Sequence, residues 1–173
     1  MQNKLLNPKP TTLSKNDFVT TFGGVYEHSP WVAEGAYEQG LSSEQDTAEG
    51  LSSTMAGIVD TASYDLRLKL LRAHPELAGK LAVEDKLTDE SKSEQSSAGL
   101  DKCTPEEFER FQTLNTQYNE KFGFPFIIAV RGLTRHDILK AFEERINHTP
   151  ETEFTTALSQ VHKIARLRLA DFV

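Results

Sequence analysis

One histidine stands where the chain must leave helical geometry. His74 follows a mixture of leucines and basic residues over 66–72, which is typical of a helix, and it precedes Pro75. Proline disfavours helical backbone in the residue before it and has no N–H to donate. We therefore expect His74 at a break, with Pro75 as the first residue of a new turn. Because the unperturbed pKa of histidine lies near neutrality, His74 is the first candidate for proton transfer.

A polar stretch over 84–99 allows two interpretations. Its abundance of Asp, Glu, Ser and Lys is typical of a solvated loop. If the stretch is helical instead, Ser91, Glu94 and Gln95 share one face, and Gly99 ends the helix. Such a face combines a hydroxyl, a carboxylate and an amide, which together suit a small ligand rich in nitrogen.

Aromatic residues, a glycine and a proline interrupt the chain between 121 and 130. Gly123 permits unusual backbone angles, and Pro125 fixes a bend before the apolar run over 126–130. This run has no obvious strand partner, so we predict a buried extended or irregular segment. Such a segment either fills the core as a hydrophobic loop or offers backbone N–H groups to the carbonyls of a planar ligand.

Two arginines lie in the last helical pattern of the chain. Arg166 and Arg168 are roughly 200° apart on a helix, so one can face solvent while the other faces inward. An inward arginine suits a carboxylate through its fork of N–H donors. The alternative is a cationic last turn that complements the helix dipole.

The other histidines and the cysteine give no comparable indication of a metal-binding or catalytic role. The remaining histidines lack metal-ligand spacing, so we expect no metal site; they are His28, His136, His148 and His162. Cys103 is the only cysteine, which excludes an intramolecular disulfide. No residue near it in sequence identifies a base, so we expect no nucleophilic role for its thiol.

Helices must position these residues. Capping sequences predict helix starts at Ser14, Thr104, Thr134 and Thr149, and apolar spacing predicts further helices at about 30–38, 46–62 and 64–72. We predict an all-α fold, a single-domain bundle of about seven to nine helices over residues 13–173. Residues 1–12 are polar and contain prolines, so we expect a loose N-terminal tail.

Composition limits the partners. The 173 residues carry a net charge of −7, and the basic residues are scattered, which argues against nucleic acid as a partner. The first residues lack the apolar core of a signal peptide, and no apolar run is long enough to span a membrane. We expect a soluble cytoplasmic protein without a membrane partner.

Four motifs together resemble one family. They are His-Pro-Glu-Leu-Ala-Gly-Lys over 74–80, Ser-x-x-Glu-Gln-x-x-Ala-Gly-Leu over 91–100, Phe-Gly-Phe-Pro-Phe-Ile over 122–127 and Tyr-Glu-His-Ser-Pro-Trp-Val over 26–32. With them, the chain resembles 2-oxo-4-hydroxy-4-carboxy-5-ureidoimidazoline (OHCU) decarboxylases from about Phe18 to the last helix. The resemblance implies an all-α homodimer that needs no cofactor. It also implies a small-molecule ureide substrate, OHCU, whose conversion to (S)-allantoin is the last step from urate.

The resemblance implies site residues as well. It makes His74 the essential catalytic residue and adds Glu94 and Arg168, with Arg166 as the alternative to Arg168. The substrate-binding residues that it implies are Pro75, Ser91, Lys92, Ser93, Glu94, Gln95, Phe126, Ile127, Ile128, Ala129 and Val130.

Alternatives stay open at the level of sequence. The proton could come from His74 or from Glu94. A chain with this acidic, helix-rich pattern could also be a non-catalytic interaction module. A third alternative is a related lyase or hydrolase that acts on another ureide.

Overall fold

A computed structural model describes residues 4–79 and 87–173, and these ranges contain eight α-helices. The helices are α1 Lys15–Phe22, α2 Trp31–Gln39, α3 Ala48–Asp60, α4 Tyr64–Arg72, α5 Asp89–Ser97, α6 Pro105–Phe122, α7 Arg135–Arg145 and α8 Pro150–Ala170. Short 3-10 turns lie at Pro10–Thr12, Gly23–Val25, Ser43–Asp46 and Leu100–Lys102. Extended pairing within the described residues is limited to one isolated bridge between Leu5 and Thr47. The prediction of an all-α fold is confirmed.

Capping side chains start the helices where the sequence predicts. The hydroxyl oxygen of Ser14 accepts the N–H of Asp17 at 3.2 Å. Thr104 forms a complete capping box, because its hydroxyl oxygen accepts the N–H of Glu107 and the Glu107 carboxylate accepts the N–H of Thr104. Each such cap contributes about 1 kcal/mol. These local bonds fix the start of α6, on which much of the candidate site depends.

The chain divides into two compact units. The first comprises Met1–Ala73 and Val161–Val173, and the second comprises His74–Gln160. In the first unit, α2 packs against α1 and α3. Its fully buried core includes Phe18, Phe22, Val32, Leu51, Met55, Leu70 and Leu169.

The stretch expected to be a loose tail is bound to the first unit from Lys4 onward. Leu6 is 1% exposed, and its N–H donates to the Asp46 carbonyl at 2.8 Å. The Asp46 carboxylate in turn accepts the N–H and the hydroxyl of Thr11 at 2.9 and 2.8 Å. The expectation of a loose tail is therefore wrong for residues 4–12, because polar composition did not reveal these long-range bonds.

Aromatic packing forms the core of the second unit. Phe126 stacks on Phe142 with ring centroids 4.0 Å apart and an angle of 8° between the rings. The Tyr118 ring meets both of them edge-on, at 5.5 and 5.8 Å. Residues 125–130 have no regular secondary structure and are largely buried, which confirms the prediction of a buried irregular segment.

Within residues 4–79 and 87–173, no helix is both long enough and apolar enough to cross a membrane.

Candidate active site

His74 opens the second unit, directly after α4 ends. Ala73 is the C-cap of α4, and residues 74–76 leave helical geometry, which confirms the predicted break. The following turn lies at Leu77 and Ala78, not at Pro75 itself. His74 is 7% exposed. We call residues 74–79 the histidine loop.

Ala78 has an unfavourable backbone angle within the histidine loop. Its φ of 49° lies in the left-handed region, which costs a residue with a Cβ roughly 1–2 kcal/mol. Both of its backbone polar groups are bound by side-chain amides. The Ala78 N–H donates to Oε1 of Gln95 at 3.1 Å, and the Ala78 carbonyl accepts from Nε2 of Gln112 at 2.6 Å. These two bonds offset the cost of the unfavourable backbone angle.

A ladder of amide side chains on α6 holds the rest of the loop. Gln112, Asn115 and Asn119 follow the i, i+3, i+7 spacing that places side chains on one helix face. Asn115 donates to the Leu77 carbonyl at 3.0 Å, and Asn119 donates to the Glu76 carboxylate at 2.6 Å. We call Gln112, Asn115 and Asn119 the amide ladder.

Glu76 is the carboxyl side chain closest in sequence to His74. Burial raises the pKa of its carboxyl above the ordinary value, and the hydrogen bond from Asn119 lowers it by less. The carboxyl therefore keeps its proton to a higher pH than an exposed glutamate does.

The predicted polar face is helical. The solvated-loop interpretation is wrong for residues 89–97, which form α5 after the cap residue Thr88. Ser91 and Gln95 are each 6% exposed, and Glu94 is half-buried on the same side of the helix. Gln95 links α5 to the histidine loop, because its Nε2 also donates to the Glu76 carbonyl at 3.3 Å.

Lys92 and Ser93 lie on the exposed part of α5, apart from the face of Ser91 and Gln95. They line a cavity of about 760 Å³ together with Gln95 and Ala78. Its other described lining residues are Leu87, Asp89, Ser96, Leu100, Asp101, Cys103, Pro105 and Phe108. His74, Ser91 and Glu94 are not among the described residues of this lining, whereas Gln95 belongs to the lining and also binds the histidine loop.

The apolar run at 126–130 is fixed by two side chains of the same unit. Nη1 of Arg145 donates to the Ile127 carbonyl at 2.6 Å, and the guanidinium lies 4.4 Å from the centre of the Phe126 ring. The Ala129 N–H donates to Oε1 of Gln160 at 2.9 Å. That N–H is thus used inside the protein and is not available to a ligand in this arrangement. Among the predicted residues of the run, Ile128 is the most exposed.

A fully buried carboxylate holds Arg145 in turn. Glu153 accepts from Nε and Nη2 of Arg145 at 3.1 and 2.8 Å, and it also accepts from the Tyr118 hydroxyl. His148 places Nδ1 3.0 Å from the same carboxylate. Burial alone would raise the pKa of Glu153, but the hydrogen bonds from Arg145 and Tyr118 outweigh it and lower the pKa. The carboxylate therefore stays charged opposite the guanidinium.

Arg168 is the inward arginine of α8 and belongs to the first unit. It is 5% exposed, whereas Arg166 is exposed. Nη1 of Arg168 lies 2.7 Å from the carboxylate of Glu27, itself 2% exposed, and 3.0 Å from the Gly24 carbonyl. The structure thus favours Arg168 over Arg166 as the arginine that faces inward.

The other histidines each lie near a carboxylate. His162 bridges the Tyr26 hydroxyl at 2.8 Å and Asp60 at 3.0 Å, within the first unit. In the described part of the chain, no three His, Cys, Asp or Glu side chains are grouped as metal ligands are. Burial raises the pKa of the Cys103 thiol, which disfavours the nucleophilic thiolate.

A family model of OHCU decarboxylase matches residues 11–170. The chain belongs to the OHCU decarboxylase family. It is 48% identical over 158 residues to an OHCU decarboxylase of Halalkalicoccus jeotgali, with 91% of this chain and 85% of that protein covered. It is 46% identical over 159 residues to the Haloferax volcanii protein of the same name, with 92% and 90% covered. A crystal structure of an (S)-allantoin synthase superposes with a TM-score of 0.73 at 38% identity, over 95% of this chain and 52% of that one.

Membership of the OHCU decarboxylase family confirms the prediction of an enzyme, a carboxy-lyase. Several residues that hold the site were not predicted as functional: the amide ladder, Glu27, Arg145 and Glu153. Only Asn115 gave a usable signal, because it is an amide within the apolar stripe of Phe111, Leu114 and Tyr118. Glu27 and Glu153 look like surface acids in the sequence.

Proposed function

We propose that this protein decarboxylates OHCU to (S)-allantoin without a cofactor. The supporting observation is that His74 is buried on a loop to which Gln95 of α5 is hydrogen-bonded. Ser91, on the same face of α5 as Gln95, is also buried, and the chain belongs to the OHCU decarboxylase family. The imidazole of a buried histidine on an irregular loop can point at a bound ligand. A histidine on a solvated helix face points into water instead.

The chemistry explains why no cofactor is needed. The substrate carries its carboxylate on a tetrahedral ring carbon. When the bond to the carboxylate breaks, carbon dioxide leaves and the electron pair stays with the ring. The neighbouring C=N or carbonyl group of the ring absorbs that pair, and a proton delivered to one face then forms the chiral product. The protein must orient the carboxylate, stabilise the developing charge and supply the proton.

Each candidate residue has a role in this proposal. His74 donates the proton or steers the carboxylate as it leaves. Glu94 and Gln95 bind the ureido and ring nitrogens, with Gln95 also holding the loop. Arg168 anchors an anionic or carbonyl oxygen of the substrate through its guanidinium.

The first test replaces His74 with asparagine and measures kcat on OHCU by absorbance, with circular dichroism to follow the chiral product. We expect kcat to fall by about 10²–10⁴-fold, the usual contribution of a general acid. His136→Asn is the matched control, because its side chain is 69% exposed, and its kcat should match wild type.

Three results decide the proposal. A wild-type protein that does not accelerate OHCU loss would refute the function. Wild-type kcat in His74→Asn would remove His74 from the mechanism, and a larger loss in Glu94→Gln would then assign the proton to Glu94. Racemic allantoin from the wild-type protein would show that the enzyme does not control proton delivery.

We also propose a homodimer, which the family resemblance supports, and a cytoplasmic location. Light scattering coupled to size exclusion tests the assembly: a mass of one 19.4 kDa chain in solution would refute the dimer.

A further inference from the structure

We propose that the amide ladder of α6 consists of positioning residues, which set the orientation of His74 for catalysis through the backbone of its loop. The inference rests on the proposed function, because it assigns these side chains a part in the same reaction. The hydrogen bonds that Gln112 and Asn115 donate to the histidine loop go to backbone carbonyls, those of Ala78 and Leu77. They act on loop geometry rather than on the substrate.

The ladder acts where the loop is least stable by itself. Ala78 has a φ of 49°, an angle that a free loop of this sequence populates rarely. Gln112 binds the carbonyl of this residue while Gln95 binds its N–H, so two different helices fix the peptide groups on either side of the Ala78 Cα. Without the bond from Gln112, the backbone can return to a more common angle, and His74, four residues away, would change its direction.

The buried side chain of Asn115 indicates that its amide donor has a role other than packing. It is 1% exposed on a helix face whose neighbours Phe111, Leu114 and Tyr118 are apolar. Its Nδ2 is bonded to the Leu77 carbonyl, but among the described residues its Oδ1 has no hydrogen-bond partner. A buried unsatisfied acceptor is costly, and leucine would fill a similar volume without it. The amide is therefore retained for the bond that it donates to the loop.

Asn119, the third member of the amide ladder, binds a side chain of the histidine loop, that of Glu76. Asn119 donates to the Glu76 carboxylate at 2.6 Å and to the Asn115 carbonyl at 3.2 Å. Glu76 directly follows Pro75, so this bond fixes the chain immediately after the proline, two residues before Ala78. The loop is thus held at three successive residues, 76, 77 and 78, by one rigid helix.

The test uses Gln112→Met and Asn115→Leu, which keep the side-chain volume and remove the donor. The matched control is Gln117→Met, a change of the same kind on the exposed side of the same helix. In both ladder variants we expect kcat on OHCU to fall about 10–100-fold while KM changes less than about threefold, since small misplacements of reacting groups cost rate. The control should keep kcat within twofold of wild type.

Stability measurements separate positioning from a merely structural role. Asn115→Leu removes one unsatisfied acceptor and leaves one carbonyl without its donor, so we expect its thermal midpoint within about 5 °C of wild type. A loss of kcat in a protein of nearly unchanged stability supports positioning. A loss of activity that only follows the fraction of unfolded protein would overturn it.

An NMR measurement makes the inference independent of the assay. The imidazole signals of His74, assigned by their absence in His74→Gln, should shift in both ladder variants and remain unchanged in Gln117→Met. If wild type lacks activity but these signals move, the proposed function has failed and the positioning role stands. If wild type is active, and neither the signals nor kcat change in the variants, the positioning role is refuted.

Discussion

Buried charged and amide side chains in this protein form hydrogen bonds and ion pairs that fix nearby backbone and side-chain groups. An apolar residue could not form these bonds. Arg168 is the clearest case in the first unit. It is surrounded almost completely by protein, and the carboxylate of Glu27 lies 2.7 Å from its Nη1. An arginine buried in this way is fixed in direction by its partner before any ligand arrives. Glu27 therefore determines which donors of Arg168 remain for the substrate oxygen that we propose this arginine anchors.

Removing Glu27 should destabilise the protein strongly. Glu27→Ala removes the carboxylate that lies 2.7 Å from the buried Arg168 guanidinium, and breaking a buried pair in this way costs roughly 3–5 kcal/mol. Glu38→Ala is the control, because its pair with Lys15 is solvent-exposed and contributes far less to stability than a buried pair. Urea unfolding of both variants measures the difference. Equal losses of unfolding free energy would show that the burial of Arg168 does not make its partner essential.

At the scale of elements, α6 organises the second unit. Its amide ladder holds the histidine loop, while Tyr118 on the same helix packs against Phe126 and Phe142. The hydroxyl of Tyr118 reaches Glu153, which holds Arg145 and thereby the carbonyl of the apolar run. The helix α6 thus fixes both the histidine loop and the apolar run at 126–130.

The loop that α6 holds has no room for a further side chain at Gly79. A Cβ added at Gly79 would lie 2.7 Å from Cβ of Glu76, so the loop must shift to accept it. We expect Gly79→Ala to lower the unfolding free energy by roughly 1–3 kcal/mol, as overpacking usually does, and to lower kcat. Gly57→Ala is the control, because open space surrounds that helical position and alanine there should add about 0.5–1 kcal/mol. A stable and fully active Gly79→Ala would contradict this account of the loop.

Sequence could predict those elements whose signals are local. The capping box at Thr104 and the break at Pro75 each depend on residues within a few positions, and both are confirmed. Composition did not predict that α5 is helical, because a segment of serines and acidic residues is also typical of a loop. Its buried partners become known only from the structure. The ladder could not be predicted, since its bonds join residues 34, 38 and 43 positions apart.

The stability of the folded protein should depend on pH through Glu153. The folded-state pKa of this carboxyl lies below its ordinary value of about 4.3. The stabilising contribution is therefore fully present above the ordinary pKa and is lost as pH falls through the folded-state pKa. Neutralising the carboxylate would also leave the buried Arg145 unpaired.

Calorimetry between pH 7 and pH 3 tests this dependence. We expect the unfolding free energy of wild type to fall below about pH 5, and Glu153→Gln to be less stable at pH 7 with a flatter profile. Glu143→Gln is the control, because its pair with Arg110 is about half exposed and should leave the acid slope unchanged. Parallel profiles for wild type and Glu153→Gln would assign the acid sensitivity to other carboxyls.

The spacing of α6 also limits how this sequence can vary in length. Each residue of an α-helix advances about 100° around the axis, so one inserted residue between Gln112 and Asn119 would rotate the later side chains away from their partners. Asn119 would then leave the histidine loop and Tyr118 would leave Glu153 in a single event. Substitutions can change these contacts one at a time, but an insertion or deletion cannot. The segment 112–119 is therefore the part of the second unit where natural or engineered changes of length should be least tolerated.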